Sequence, residues 1–157
     1  MIATLMASVL AATPVAWIVK NGVDAQSRRP YSIAMLPSDK AMLAFECQDD
    51  RDIMVGLTIR ADLMPAKPTA QRATFRAGNA APLSIDMAVE PSKVGPIFIA
   101  RLSENQQASS LATYLMAQKG ELTASIAGQT LTFPDDGRED AFIATLKACG
   151  IVLSKKK

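Results

Sequence analysis

The chain contains no histidine among its 157 residues. Histidine is the usual general base near neutral pH and the commonest metal ligand in proteins. Its absence excludes Ser-His-Asp and Cys-His catalysis, and it excludes histidine-ligated zinc, within this chain. We therefore predict no catalytic residue, no cofactor and no metal site from the sequence.

A strong excess of one charge is also missing. The chain has 17 lysines and arginines against 15 aspartates and glutamates, and three of the 17 are the terminal Lys155, Lys156 and Lys157. Removing those three charges turns the net charge of +2 into −1. A near-neutral body lacks the row of cationic side chains that phosphate binding needs, so nucleic acid is not an expected partner.

Residues 1–19 carry no charged side chain. A secretory signal peptide fits this apolar segment, and the small residues Val23 and Ala25 would allow cleavage before Gln26. Residues 1–10 lack the positive charge that usually opens such a peptide, which argues against this interpretation.

Two alternatives compete for the same segment. An uncleaved anchor over residues 1–20 would be just long enough to span a bilayer, although Pro14 interrupts it. The segment could instead belong to the domain core, with Trp17 buried. We predict a signal peptide or membrane anchor over residues 1–25 and a periplasmic or secreted location. Anchoring in the inner membrane, facing the periplasm, is the alternative.

The chain has only two cysteines, Cys47 and Cys149, and they do not form a C-x-x-C pair. In an exported protein, two cysteines predict one disulfide. Closing the long loop between Cys47 and Cys149 would stabilise the fold by about 4–5 kcal/mol in the entropy model. Two unrelated buried thiols are the alternative. A catalytic cysteine is disfavoured because no histidine exists to activate it.

The rest of the chain has the composition of one folded domain, with 49% hydrophobic and 20% charged residues. Apolar residues alternate with others in several segments, which is typical of strands. The clearest alternation is in residues 43–47, 53–59 and 83–90. Helical spacing begins after Ser109 and Ser110, and a second helix is predicted after Pro134, ending at Gly150.

These patterns predict a mainly β fold, with β-sandwich-like antiparallel sheets, one short helix and a C-terminal helix. An α+β arrangement is the alternative. The predicted domain covers residues 26–150, and residues 151–157 form a flexible basic tail.

The layout resembles a group of small exported proteobacterial proteins. An early strand ending near Cys47 is followed by several alternating strands, a short helix and the hairpin of residues 121–133. Gly137 and a last helix ending in Cys149 then follow. This order is similar to that of the invasion-associated locus B proteins and the type VI secretion accessory protein VasI, over about residues 29–150. The resemblance implies an exported β-sandwich-like fold with a binding or accessory role, and it carries over only Cys47 and Cys149.

Acidic clusters and methionines are candidate ligand sites. Clustered carboxylates can bind Ca²⁺, and methionines can bind soft metals. The acidic runs lack the EF-hand spacing and fit a turn and the first turn of a helix better. The methionines lack M-x-x-M spacing. The acidic candidates are Asp49, Asp50 and Asp52 in the first run, and Asp135, Asp136, Glu139 and Asp140 in the second.

Together these observations predict a non-enzymatic exported accessory or binding domain that acts on another envelope or secreted protein. Sheet faces and exposed sheet edges suit such a role. A small envelope enzyme or enzyme inhibitor that uses Asp and Glu carboxylates is the alternative, and a cytosolic α+β domain with reduced cysteines is a third possibility. Neither the partner nor the oligomeric state follows from the sequence.

Overall fold

The computed structural model describes residues 16–48, 52–65, 67–93 and 95–151. The first four strands are β1 (Ile18–Val23), β2 (Pro30–Pro37), β3 (Ala41–Gln48) and β4 (Ile53–Ile59). After a short 3₁₀ turn at Ala61–Leu63 come β5 (Gln71–Ala77), β6 (Leu83–Glu90) and β7 (Ile97–Arg101). Helix α1 (Gln107–Ala117), strands β8 (Leu122–Ile126) and β9 (Gln129–Phe133), and helix α2 (Arg138–Ala148) complete the chain.

The described strands join in one nine-stranded sheet in the order β1-β2-β3-β4-β7-β6-β5-β8-β9. Every neighbouring pair is antiparallel. The prediction of a mainly antiparallel β fold with a short helix and a C-terminal helix is therefore confirmed. The two helices supply the second layer that buries one face of the sheet.

Helix α2 packs on β1, β2 and β3, while α1 packs on β4, β6 and β7. We call this covered side the front face and the opposite side the back face. On the front face, Phe45 of β3 stacks on Phe142 of α2 with ring centroids 4.4 Å apart. Trp17, just before β1, meets the same Phe142 ring edge-on at 5.1 Å. The aromatic contacts join the first strands to the last helix in one core.

Local boundaries differ from the predicted ones at three places. Helix α1 begins two residues before Ser109, where the Asn105 side chain accepts the Gln107 N–H at 2.9 Å. The β8–β9 turn was predicted at Gly128 and the following residue, but it consists of Ala127 and Gly128, both with positive φ. Ile151, predicted as tail, packs on the core and donates its N–H to the Leu146 carbonyl.

Strand β1 falls within the segment that we predicted as a leader. Its six residues all pair with β2, from Ile18 opposite Met35 to Val23 opposite Pro30. Cleavage before Gln26 stays a prediction, but such a cut would remove the whole strand and Trp17. Among the described residues, no helix has the length and apolar character needed to cross a membrane.

A chain beginning at Gln26 is expected to unfold with a free energy roughly 2–4 kcal/mol lower than a chain beginning at Ala16, because it lacks the edge strand and the half-buried Trp17 ring. Urea titration followed by far-UV circular dichroism measures the difference. The full-length chain serves as the reference for the longer truncation. Equal stability of the two truncated chains would place the domain boundary at Gln26 after all.

Candidate binding surface

The predicted disulfide between Cys47 and Cys149 is present, with the two Cα atoms 6.2 Å apart. Cys47 lies near the end of β3 with its side chain fully buried on the front face. Cys149 directly follows α2. The bond therefore ties the end of the last helix to one of the first strands, across a sequence separation of 102 residues.

A buried arginine ties the start of the same helix to α1. Arg138 is only 1% exposed, and its guanidinium donates to the carbonyls of Leu115, Gln118 and Gly120. These carbonyls lie at the end of α1 and just after it, where a helix leaves its acceptors unpaired. Asp135 pairs with the guanidinium at 2.9 Å. Burial lowers the pKa of Arg138, and the charge of Asp135 acts in the opposite direction. Nothing in the sequence around Arg138 marked this role.

The first acidic run falls largely outside the described residues, because Asp49 and Asp50 are not among them. The carboxylate of Asp52 accepts the Ser103 backbone N–H at 3.0 Å and the Ser103 hydroxyl at 2.9 Å. Asp52 therefore joins the β3–β4 connection to the segment after β7, which is a structural role.

Two of the four carboxylates in the second acidic run, Asp135 and Glu139, are paired within the protein. Asp135 pairs with Arg138 and accepts the Gly120 N–H at 2.9 Å. Glu139 contacts Lys119. Within the described part of the chain, no three Asp, Glu or Cys side chains are grouped so that they could hold a metal ion.

The carboxylates of Asp24 and Asp62 have a lowered pKa, and both lie on the surface. The side-chain hydrogen bonds from Arg60, at 2.6 and 2.9 Å, lower the pKa of Asp62. The backbone N–H of Ser27, at 2.6 Å, lowers the pKa of Asp24. Each shift arises from a surface turn rather than from a cleft where substrate could bind.

One cleft holds carboxylates from two different segments. It has a volume of about 250 Å³ beside Ala88 and includes Asp86 and Glu104. Arg72 lies 3.5 Å from the Asp86 carboxylate, and Arg101 lies 3.7 Å from that of Glu104. Both carboxylates are thus paired with arginines at an open surface, where such pairs contribute little to stability.

The back face of the sheet has two different halves. In β5, β6, β8 and β9 the side chains on this face are polar except for Ala88, as expected for a sheet with one solvated side. In β2, β3, β4 and β7 most of them are apolar, although Glu46, Thr58 and Arg101 lie on the same face. We call this apolar half the methionine face; it consists of Ile33, Met35, Met42, Ala44, Met54, Gly56, Ile97 and Ile99.

Register places the side chains of the methionine face next to one another. Met35 pairs with Ala44, and Gly56 pairs with both Ala44 and Ile99. A Cβ on Gly56 would lie 3.7 Å from the Ile97 side chain and 3.9 Å from the Met54 methyl group. The glycine therefore leaves a shallow dip in the apolar surface, which Glu46 interrupts between Ile33 and Met54. Methionine side chains are flexible and adapt to different partner surfaces.

The methionine face was not identified as a site from the sequence. It could have been found from the residues that alternate with the buried ones along each strand. In β4, Met54 and Gly56 alternate with buried Val55 and Leu57, so the strand is apolar on both sides. In β6, by contrast, Asp86 lies between buried residues, as a solvated back face requires.

No family model, curated protein or solved structure matches this chain. The resemblance to the invasion-associated locus B and VasI proteins therefore stays a prediction.

Proposed function

We propose that the protein is a non-enzymatic exported domain that binds another envelope or secreted protein through the methionine face. The observation that carries this proposal is the contrast within one sheet. Half of the back face is polar, and the other half carries apolar side chains on the side away from both helices, of which Ile33, Met35, Met42, Met54 and Ile97 are half-buried. Contiguous apolar patches of this kind mark protein interaction sites.

Export is supported by the disulfide between Cys47 and Cys149. Such bonds form and persist in oxidising compartments and are rare in the cytosol of ordinary cells. A role like that of the invasion-associated locus B and VasI proteins would be in keeping with a periplasmic or secreted location.

The alternative of a carboxylate-dependent envelope enzyme or inhibitor has less support. A hydrolase built on Asp and Glu needs two carboxylates in a protected cleft, with one pKa raised for proton donation. Asp86 and Glu104, the pair in the cleft beside Ala88, are each within ion-pair distance of an arginine. Their side chains are 74% and 66% exposed, so the cleft does not give them the protection from water that such an enzyme needs.

The compartment is tested by intact mass of the protein isolated from separate fractions of the cells that make it. We expect the protein in the periplasmic or secreted fraction, with two cysteines that are alkylated only after reduction. A cytosolic chain with two free thiols would contradict both export and the binding role proposed here.

The binding surface is tested with a photo-crosslinking amino acid at Met54, with the same probe at Thr123 on the polar half as the control. We expect a covalent adduct with another protein from position 54 only. Adding Met35→Lys and Met42→Lys to the probe variant should reduce that adduct at least about tenfold, because charges would then enter an apolar contact.

Two comparisons complete this test. The paired substitutions Thr74→Lys and Thr132→Lys, on the polar half, should leave the adduct unchanged. The methionine substitutions should change the free energy of unfolding by less than about 1 kcal/mol, since both side chains are partly exposed. Equal adducts from both probe positions, or none from position 54, would contradict the proposed surface.

A further inference from the structure

Among the strands that the structure describes, β1 forms one edge of the sheet, and its side chains are unusually exposed. The large hydrophobic side chains that are exposed in the described part of the chain all belong to it: Ile18 (42% exposed), Val19 (39%) and Val23 (61%). The opposite edge, β9, exposes Thr130 and Thr132 instead. An exposed apolar edge strand pairs readily with another strand.

The turn after β1 indicates which main-chain N–H and C=O groups of the strand point away from β2. The Asp24 N–H donates to the Arg29 carbonyl at 2.8 Å. Antiparallel ladders alternate along a strand, so Gly22 and Lys20 also direct their N–H and C=O groups toward β2. Val19, Asn21 and Val23 then direct theirs outward. Pro30, which has no N–H, lies opposite Val23, as this alternation requires.

The sequence of this edge is complementary to itself. We propose that β1 pairs antiparallel with β1 of a second copy of this chain, centred on Asn21. In this register, Val19 of each copy lies opposite Val23 of the other, and the outward main-chain groups of both strands meet. An isologous contact of this type is what a two-fold dimer requires.

Charge favours the same register. Lys20 lies opposite Gly22 of the second copy, so the two lysines are not opposed. The Tyr31 ring covers Gly22, with its hydroxyl 2.7 Å from the position of a Cβ there. The Lys20 ammonium therefore meets an aromatic ring, which attracts a cation. A register centred on Lys20 would place like charges directly opposite each other.

The dimer goes beyond the proposed binding role and does not depend on it, but it requires a chain that keeps β1 and is therefore incompatible with cleavage before Gln26. The two-fold axis of an antiparallel strand pair is perpendicular to the sheet, so the back faces of both copies lie on the same side. The two methionine faces would then lie on either side of the β1–β1 junction, in one continuous sheet with twice the number of strands.

Sedimentation velocity over a range of concentrations tests the dimer, using the disulfide-bonded protein purified from the cells that make it. We expect a reversible dimer. Val19→Glu combined with Val23→Glu places like charges opposite each other twice and should raise the dissociation constant about a hundredfold. Val19→Lys combined with Val23→Glu places opposite charges there in this register alone, and it should restore the dimer.

The matched control carries Thr130→Glu and Thr132→Glu on β9 and should remain dimeric. Circular dichroism and urea unfolding of each variant show whether it is folded. A wild-type monomer at all concentrations, a dimer that survives the double glutamate variant, or a lysine–glutamate variant that stays monomeric would each overturn the proposal. The methionine-face variant Met35→Lys/Met42→Lys should still dimerise, so loss of the crosslink there bears on the proposed function alone.

Discussion

Replacing Arg138 with methionine is expected to lower the free energy of unfolding by about 4 kcal/mol. The guanidinium is buried and donates hydrogen bonds to the carbonyls of Leu115, Gln118 and Gly120. Methionine has a similar length but no N–H groups, so these carbonyls lose their donors. Asp135, whose side chain is 37% exposed, also loses its ion-pair partner. The main cost is therefore the set of polar groups left unpaired, more than the loss of the ion pair itself.

Urea unfolding followed by circular dichroism measures this loss. Arg138→Lys keeps the charge but cannot place donors on three carbonyls at once, so its stability should fall between those of the wild type and the methionine variant. Arg72→Met is the matched control, because its ion pair with Asp86 is exposed and should contribute less than about 1 kcal/mol. A loss below about 1 kcal/mol for Arg138→Met would show that water replaces the guanidinium.

Removing the disulfide by Cys47→Ala and Cys149→Ala is expected to lower the free energy of unfolding by about 3–5 kcal/mol. The bond closes a loop with a sequence separation of 102 residues, and so long a closure strongly restricts the unfolded chain. The folded state should keep its strands and α1, since Phe142 still packs on Phe45. The end of α2 should be the first part to become exposed.

The measurement is again urea unfolding, with hydrogen exchange reporting on α2. Wild-type protein reduced with dithiothreitol is the control, and it should match the double alanine variant within about 1 kcal/mol. If removal of the bond cost less than about 1 kcal/mol, the packing of α2 and Arg138 alone would account for the position of the helix.

Much of the fold could be predicted because the strand signal is local. Residues such as Leu43, Phe45 and Cys47 alternate with less buried neighbours, and the structure buries all three on the front face. Such an inference needs only the period of the side chains along a strand. The disulfide was predicted from a different observation, the presence of only two cysteines in a chain expected to be exported.

The remainder depends on contacts between distant segments. The first two residues of β1 end the uncharged segment 1–19, whose hydropathy fits a leader as well as a strand, so the pairing of β1 with β2 was not evident. The role of Arg138 could not be recognised from its neighbours in sequence, because its acceptors lie at the end of α1 and just after it. The turn at Ala127 differs from the predicted position because a residue other than glycine adopts the left-handed conformation there. The methionine face was visible in the sequence, but only after the buried side of each strand was known.

The strand order also determines how the chain can fold. Strands β1 to β4 follow one another in the sheet, as do β7, β6 and β5 in reverse order, and β8 and β9. These three groups of strands can form from short-range contacts. The pairing of β4 with β7, and of β5 with β8, requires long loops to close first. Until β4 pairs with β7, both strands have unpaired edges and apolar side chains on both faces. A partly folded chain is therefore most prone to aggregate at the strands that later form the centre of its methionine face.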